Sequence, residues 1–282
     1  MNKTKVVLLT LTAMIAFAAN SLLCRMALRT AHIDAASFTL IRMASGALML
    51  WLIVRSRGAA VGEHGSWSSA FPLFCYAAAF SFAYLTLPAA AGALLLFGAV
   101  QATMIGYGLW RGERLGIVQS FGLLLACAGL IGLLLPGLSS PPLPGAILMI
   151  VAGVAWGVYS LRGRTSSNAT ASTAGNFIRT LPFAAALSLV MVSRASADFP
   201  SIGYAIASGA LASGLGYAVW YSALPALRAT NAATVQLSVP VIAALGAVIF
   251  LDEAITQRLV LASLAVLGGI TLVMTGRRAM RG

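Results

Sequence analysis

Ala16-Phe17-Ala18-Ala19-Asn20-Ser21-Leu22-Leu23-Cys24-Arg25, near the start of the chain, is echoed by Ala155-Trp156-Gly157-Val158-Tyr159-Ser160-Leu161-Arg162-Gly163-Arg164, just past its middle. In both stretches an aromatic is followed at fixed spacing by Ser-Leu and then by Arg, and each stretch closes an apolar run. Between them Pro136-Gly137-Leu138-Ser139-Ser140-Pro141-Pro142-Leu143-Pro144 breaks the chain near its midpoint, where a linker between two repeated halves belongs. Three further echoes follow in the same order. Ile41-Arg42 pairs with Ile178-Arg179, and Tyr84-x3-Pro88 with Tyr221-x3-Pro225. Gly106-x6-Glu113-x15-Gly129 pairs with Gly246-x6-Glu253-x15-Gly269. Each motif is degenerate alone, but four in one order are hard to attribute to chance, and they divide the chain into residues 1–138 and 139–282.

The composition says where these halves reside. Of 282 residues, 60% are hydrophobic and only 9% charged, against about 25% charged in an ordinary soluble domain. With a mean hydropathy of +0.94 there is too little polar surface to solvate a globule, which excludes a soluble enzyme, a disordered chain and a disulfide scaffold. Apolar runs bounded by charges, Pro or Gly fall at about 5–28, 35–54, 68–86, 89–110, 115–135, 143–161, 171–193, 201–222, 229–250 and 257–275. The expected fold is therefore all-α and polytopic, with ten transmembrane helices. Lys3 and Lys5 before the first run imitate a signal peptide, but nine more spans follow, so that run is read as a retained first helix.

The net charge of +12 does not point to nucleic acid, because the basic residues stand singly or in pairs at the ends of apolar runs. With the N-terminus inside, the cytoplasmic side holds Lys3, Lys5, Arg55, Arg57, Arg111, Arg114, Arg162, Arg164, Arg228, Arg277, Arg278 and Arg281. The outer side holds Arg25, Arg29, Arg194 and Arg258, while Arg42 and Arg179 fall within helices. Twelve against four favours both termini in the cytoplasm, which for a bacterial chain means the inner membrane. Five spans per half is an odd number, so the second repeat runs through the bilayer in the opposite sense. Inverted repeats with a site at their interface near the midplane are a transporter architecture. Cys24, Cys75 and Cys127 lie in different runs without ligand-like spacing and read as small apolar residues, so neither a metal nor another cofactor is expected.

These residues resemble the EamA-like branch of the drug/metabolite transporter superfamily. The likeness rests on the aromatic, Ser and Arg in the first helix of each half, the Arg in the second, and the Pro before the fourth. It extends to Gly112-Glu113-Arg114-Leu115 and its counterpart Leu251-Asp252-Glu253. Members often carry a Pro within the fourth helix of each half; Pro240 supplies it in the second half, but Val100 stands in the first. Gly98-Ala99-Val100-Gln101-Ala102-Thr103-Met104-Ile105 is similar to the aromatic amino-acid exporters of the branch. The resemblance implies a carrier with ten helices, a central cavity and a small-molecule substrate, with no catalytic residues.

Within the spans, Arg42 and Arg179 stand out, since a charge in a membrane helix costs at least about 2.5–3.5 kcal/mol near the centre. One reading makes them clamps for a substrate carboxylate; the reading preferred here, because both have a repeat partner, makes them structural ties to helix-end carbonyls or snorkelling side chains. All six acids, Asp34, Glu63, Glu113, Asp198, Asp252 and Glu253, fall in loops or at helix ends, as do His32 and His64. No proton-coupling residue is therefore expected in the membrane, and Glu113 and Glu253 read as partners that fix loops. Candidate substrate groups are those without a like-typed repeat partner. They are Asn20 in the first span, Gln101 and Met104 in the fourth, and Trp156 and Tyr159 in the sixth. Tyr217 is the candidate in the eighth. Tyr76, Phe80 and Tyr84 share one face of the third span, and Asn231, Thr234 and Ser238 form a polar stripe on the ninth. Trp220 and Tyr221, near a helix end, read instead as interfacial belt residues.

Three functions compete. The first is a secondary transporter exporting neutral or aromatic amino acids from a central cavity, working as a monomer or an oligomer. The second is a broad drug or nucleotide-sugar carrier, for which the latter would want more cavity cations than two arginines. The third is a membrane-embedded enzyme, which the acid census disfavours.

Overall fold

A computed structural model describes residues 2–29, 32–58, 64–112, 114–137, 140–163, 168–227 and 235–279. All regular structure among them is helical. In chain order it comprises α1 (Lys3–Arg29), α2 (Ala35–Ser56), α3 (Trp67–Ala83), α4 (Ala89–Trp110), α5 (Ile117–Leu134), α6 (Leu143–Gly163) and α7 (Ala169–Val190). Next come α8 (Phe199–Ile206), a π-helical stretch Ala207–Leu215 and α9 (Gly216–Ala223), followed by α10 (Ser238–Leu251) and α11 (Gln257–Ala279). Seven helical segments among the described residues are long and apolar enough to cross a membrane: α1, α2, α4, α5, α6, the run Phe199–Ala226, and Gln257–Met274. The protein is a polytopic membrane protein. The expected third, seventh and ninth spans correspond to α3, α7 and α10, which are shorter or more polar.

Exposure is inverted relative to a soluble protein. Ile117 is 91% exposed, and Phe121, Leu124 and Ile131 share its outward face on α5, a surface suited to lipid rather than water. The interior is built instead from small residues. In α4 every residue from Ala89 to Gln101 is buried, and the opening Ala89-Ala90-Ala91-Gly92-Ala93 lets neighbours approach closely. Without a hydrophobic force between helices in lipid, such close packing is what holds them together. Gly122 of α5 and Gly269 of α11 show this directly: a side chain added at Gly122 would lie 2.5 Å from the Gly269 carbonyl oxygen.

Local chemistry fixes the helix ends. Asp34 caps α2 by accepting from the amides of Ala36 and Ser37, each at 3.0 Å, and it also accepts from the Ser196 amide at 3.1 Å. Burial works against its ionisation, but the bonds from Ser37, Ser196 and Ala36 outweigh it and hold the carboxyl below its ordinary value. Two boundaries differ from the sequence reading. The third apolar run, expected to reach residue 86, ends as helix at Ala83; Tyr84 caps it, and Pro88, which lacks an amide donor, starts α4. The eighth run is not a uniform α-helix but is widened at Ala207–Leu215. Gly209 there sits against the Arg42 carbonyl and the Ser45 hydroxyl of α2, where any side chain would collide. Such π-helical insertions frequently accompany functional sites.

Candidate functional site

A cavity of about 550 Å³ opens among α1, α3, α4, α6, α9 and α11, within the roughly 300–1,000 Å³ usual for small-molecule sites. Its walls are aromatic because the facing helices each contribute rings. Trp156 of α6 is the hub: its ring centroid lies 4.9 Å from Tyr76, 5.4 Å from Tyr159 and 5.3 Å from Tyr217, the last in a stacked arrangement. Phe17 of α1 joins through Tyr217 at 5.5 Å. Of the residues singled out from the sequence, Asn20, Tyr76, Phe80, Gln101, Met104, Trp156, Tyr159 and Tyr217 line this one space. Gln101 is 5% exposed, an amide otherwise enclosed by apolar wall.

Other candidates lie elsewhere. Tyr84 is wholly buried; its ring packs edge-on to Phe80 and its hydroxyl donates to the Ala89 carbonyl, so it joins α3 to α4 rather than lining the cavity. Ser238, the first residue of α10, donates its hydroxyl to the Val235 carbonyl at 2.7 Å, just ahead of the helix. Asn231 and Thr234 lie outside the described residues, and so does Glu113. Trp220 and Tyr221 are corrected from belt to cavity: both line it, and Trp220 is only 6% exposed. Helix-end position suggested a belt, but Trp220 packs edge-on to Phe17 and Tyr221 against Tyr217, inside the bundle. Ser213 of the π-helical stretch was missed. It lines the cavity, 1% exposed, and its hydroxyl has no protein partner.

The two arginines, alike in sequence, differ in surroundings. Arg179 donates to the His64 carbonyl at 2.7 Å and the Gly175 carbonyl at 3.0 Å. Arg42 reaches neither a helix end nor solvent. It is 0% exposed, donates through Nη2 to the Tyr76 hydroxyl at 3.0 Å, and lies 4.8 Å from the centre of the Phe80 ring and 5.2 Å from that of Tyr76. Its Nε and Nη1 have no hydrogen-bond partner.

One helical turn beyond Ser21, which lines the cavity, a polar tie crosses the bundle. There Arg25 of α1, 8% exposed, donates through Nη1 to the Tyr84 carbonyl at 2.8 Å and the Leu85 carbonyl at 3.3 Å. Its Nε meets Glu253 Oε1 at 3.2 Å, and Glu253 Oε2 accepts from the first amide of α4, Ala89, at 2.7 Å. Arg29 adds a looser contact to the same carboxylate at 3.6 Å. One carboxylate thus ties α1, the α3–α4 turn and the end of α10 together. At the other end the lining includes Gly163, the last residue of α6, Arg111 and Leu227, just past α4 and the run Phe199–Ala226, and Met274 in the second half of α11. Arg111 is exposed there and donates to the Tyr107 hydroxyl at 3.0 Å.

Residues 143–275 match the EamA-like transporter family. An uncharacterized protein of Pseudomonas aeruginosa is 55% identical over 282 residues, covering 99% of this chain and 98% of its own. A solved crystal structure shares the fold with a TM-score of 0.67, at 19% identity, over 97% of this chain and 99% of that one.

Proposed function

The chain belongs to the EamA-like transporter family, and we propose that it exports neutral or aromatic amino acids across the bacterial inner membrane by alternating access. In this reading residues 1–138 and 139–282 are inverted five-helix repeats, giving ten spans with both termini in the cytoplasm, as the positive-inside count favours. The central cavity is the substrate site, and Asn20, Tyr76, Phe80, Gln101, Met104, Trp156, Tyr159 and Tyr217 are its substrate groups. The observation that carries the substrate class is the ring cluster around Trp156, which offers stacking surface to an apolar or aromatic side chain.

The asymmetric closure supports the mechanism. The Arg25–Glu253–Ala89 tie seals the end expected to face outward, while the opposite end carries the basic residues expected to face the cytoplasm. A cavity sealed on one side only is the arrangement from which loading can begin. Electrostatics disfavour a cationic drug: among the described residues no carboxylate lines the cavity, whereas Arg42 lies behind its wall and Arg111 at its mouth. Counterflow in proteoliposomes, with labelled phenylalanine, tryptophan, methionine, threonine, a nucleotide sugar and a cationic dye, tests the reading. Exchange of the amino acids alone is expected, and exchange of the dye or nucleotide sugar without them would overturn it.

A further inference from the structure

Tyr76 occupies an unusual electrical position in the cavity wall. Its hydroxyl oxygen accepts twice, from Arg42 Nη2 at 3.0 Å and from Asn20 Nδ2 at 3.3 Å. Asn20 is held in that orientation because its Oδ1 accepts from the Ser208 hydroxyl of the π-helical stretch at 2.7 Å. A phenol oxygen has two acceptor sites and one O–H. With both acceptor sites filled from the protein side, the O–H is the group left to point at the cavity that Tyr76 lines. The guanidinium behind it brings a full positive charge and, among the described residues, no carboxylate partner: the ion pairs there involve Arg25, Arg29 and Glu253. Nε and Nη1 of Arg42 remain without protein partners. The Ser213 hydroxyl, also unpartnered and nine-tenths buried, lines the same cavity.

We propose that Tyr76, polarised from behind by Arg42, and Ser213 form a carboxylate-recognising subsite of the cavity, so that the carried molecule must present an anion there. An uncompensated cation in a low-dielectric interior creates a field that a bound carboxylate relieves, and a phenolic donor backed by that cation makes a charge-assisted bond. The cation–π contacts to Phe80 and Tyr76 hold the guanidinium in place without neutralising it. Tyr76 and Ser213 touch the ligand; Arg42, wholly enclosed, is a positioning residue that acts through Tyr76. This names the substrate chemistry of the site and rests on the cavity being the substrate site, but it holds for any carboxylate that fits.

The test is binding to the purified full chain in detergent, read as thermal stabilisation, with 3-phenylpropionate and its neutral near-isostere 3-phenylpropanamide at neutral pH. The wild type should bind the carboxylate at least tenfold more tightly than the amide. Tyr76→Phe, which keeps the ring, should reduce that ratio to below about threefold, because a carboxylate loses a charge-assisted bond and the amide only a weaker neutral one. Should Tyr76→Phe not fold, the exchange Arg42→Met with Tyr76→Phe removes the buried charge together with its partner, and the same collapse of the ratio is expected. Equal binding of acid and amide to the wild type overturns the subsite, as does a ratio that survives in the variants. Neither result touches the amino-acid reading, whose failure would appear only in the counterflow panel.

Discussion

Replacing Glu253 by Gln probes the sealed end of the cavity most directly. The carboxylate is 8% exposed and receives three cationic or backbone donors: Arg25 Nε at 3.2 Å, the Ala89 amide at 2.7 Å and, more loosely, Arg29 Nη1 at 3.6 Å. Glutamine keeps the shape but carries one acceptor oxygen and one NH2. Whichever way the amide turns, a donor then faces either Arg25 or the Ala89 amide. One charge-assisted bond is lost outright, the other becomes a weaker neutral acceptor, and Arg25 keeps only its bonds to the Tyr84 and Leu85 carbonyls. Bonds to charged groups contribute about 1.5–3 kcal/mol each, so a net loss of roughly 2–3 kcal/mol is expected at this seal. If the tie exists only in the conformation closed at this end, the equilibrium moves toward opening there by roughly 30- to 150-fold. Cys24, 0% exposed and adjacent to Arg25 in α1, is a native reporter. In a background with Cys75→Ala and Cys127→Ala, Glu253→Gln should raise the maleimide labelling rate of Cys24 by at least tenfold, with the protein still monodisperse and cooperative in melting. Unchanged labelling in a folded variant would show that the tie is scaffold rather than gate.

Trp156→Ala removes the ring that touches Tyr76, Tyr159 and Tyr217, and counterflow of aromatic amino acids should weaken several-fold while expression in the membrane is retained. Asp34→Ala deletes the α2 cap and should lower stability by about 1 kcal/mol near neutral pH. Because the folded carboxyl titrates below its ordinary value, the stability Asp34 supplies is complete above the unfolded value of about 3.9 and fades as pH falls through the lower folded one. Thermal melts of wild type and variant should accordingly converge in acid. Gly209→Val places a branched side chain into the Arg42 carbonyl and Ser45 hydroxyl and should abolish folded protein, whereas Gly106→Ala, which meets nothing within 4 Å, should accumulate normally.

Much of this architecture was legible because membrane helices announce themselves through composition, and polar groups within them through their cost. Asn20, Gln101, Trp156 and Tyr217 were singled out for being polar or aromatic inside apolar runs, and the structure brings them to one cavity. What the sequence withheld is where irregular backbone enters. Nothing in Ala207–Leu215 distinguishes a π-helical stretch from a glycine-rich α-helix, yet that widening brings Ser208 to Asn20 and Ser213 to the cavity. Tyr84 was misplaced for a different reason: it stays on the face of Tyr76 and Phe80, but the start of α4, with Ala89 and Gly92 against it, covers it there.

The arginines show what the proposed repeat would teach through its departures. Arg42 and Arg179 are the same distance apart in sequence as Tyr84 and Tyr221, and that distance also sets Tyr76 against Ser213. On the proposed repeat the first half offers its arginine a phenol, and the second half would offer only a short hydroxyl. Arg179 goes instead to the carbonyls of His64 and Gly175, while Arg42 stays beneath the cavity wall with two nitrogens unpartnered among protein groups. Symmetry alone argued that both should be scaffold, since a related pair on opposite sides of a bilayer cannot easily serve one site. That argument holds only while the partners of the pair are equivalent. A substrate without two-fold symmetry needs inequivalent walls, and on the proposed repeat the exchange of Tyr76 for Ser213 is the difference that sets Arg42, behind the cavity wall, apart from Arg179.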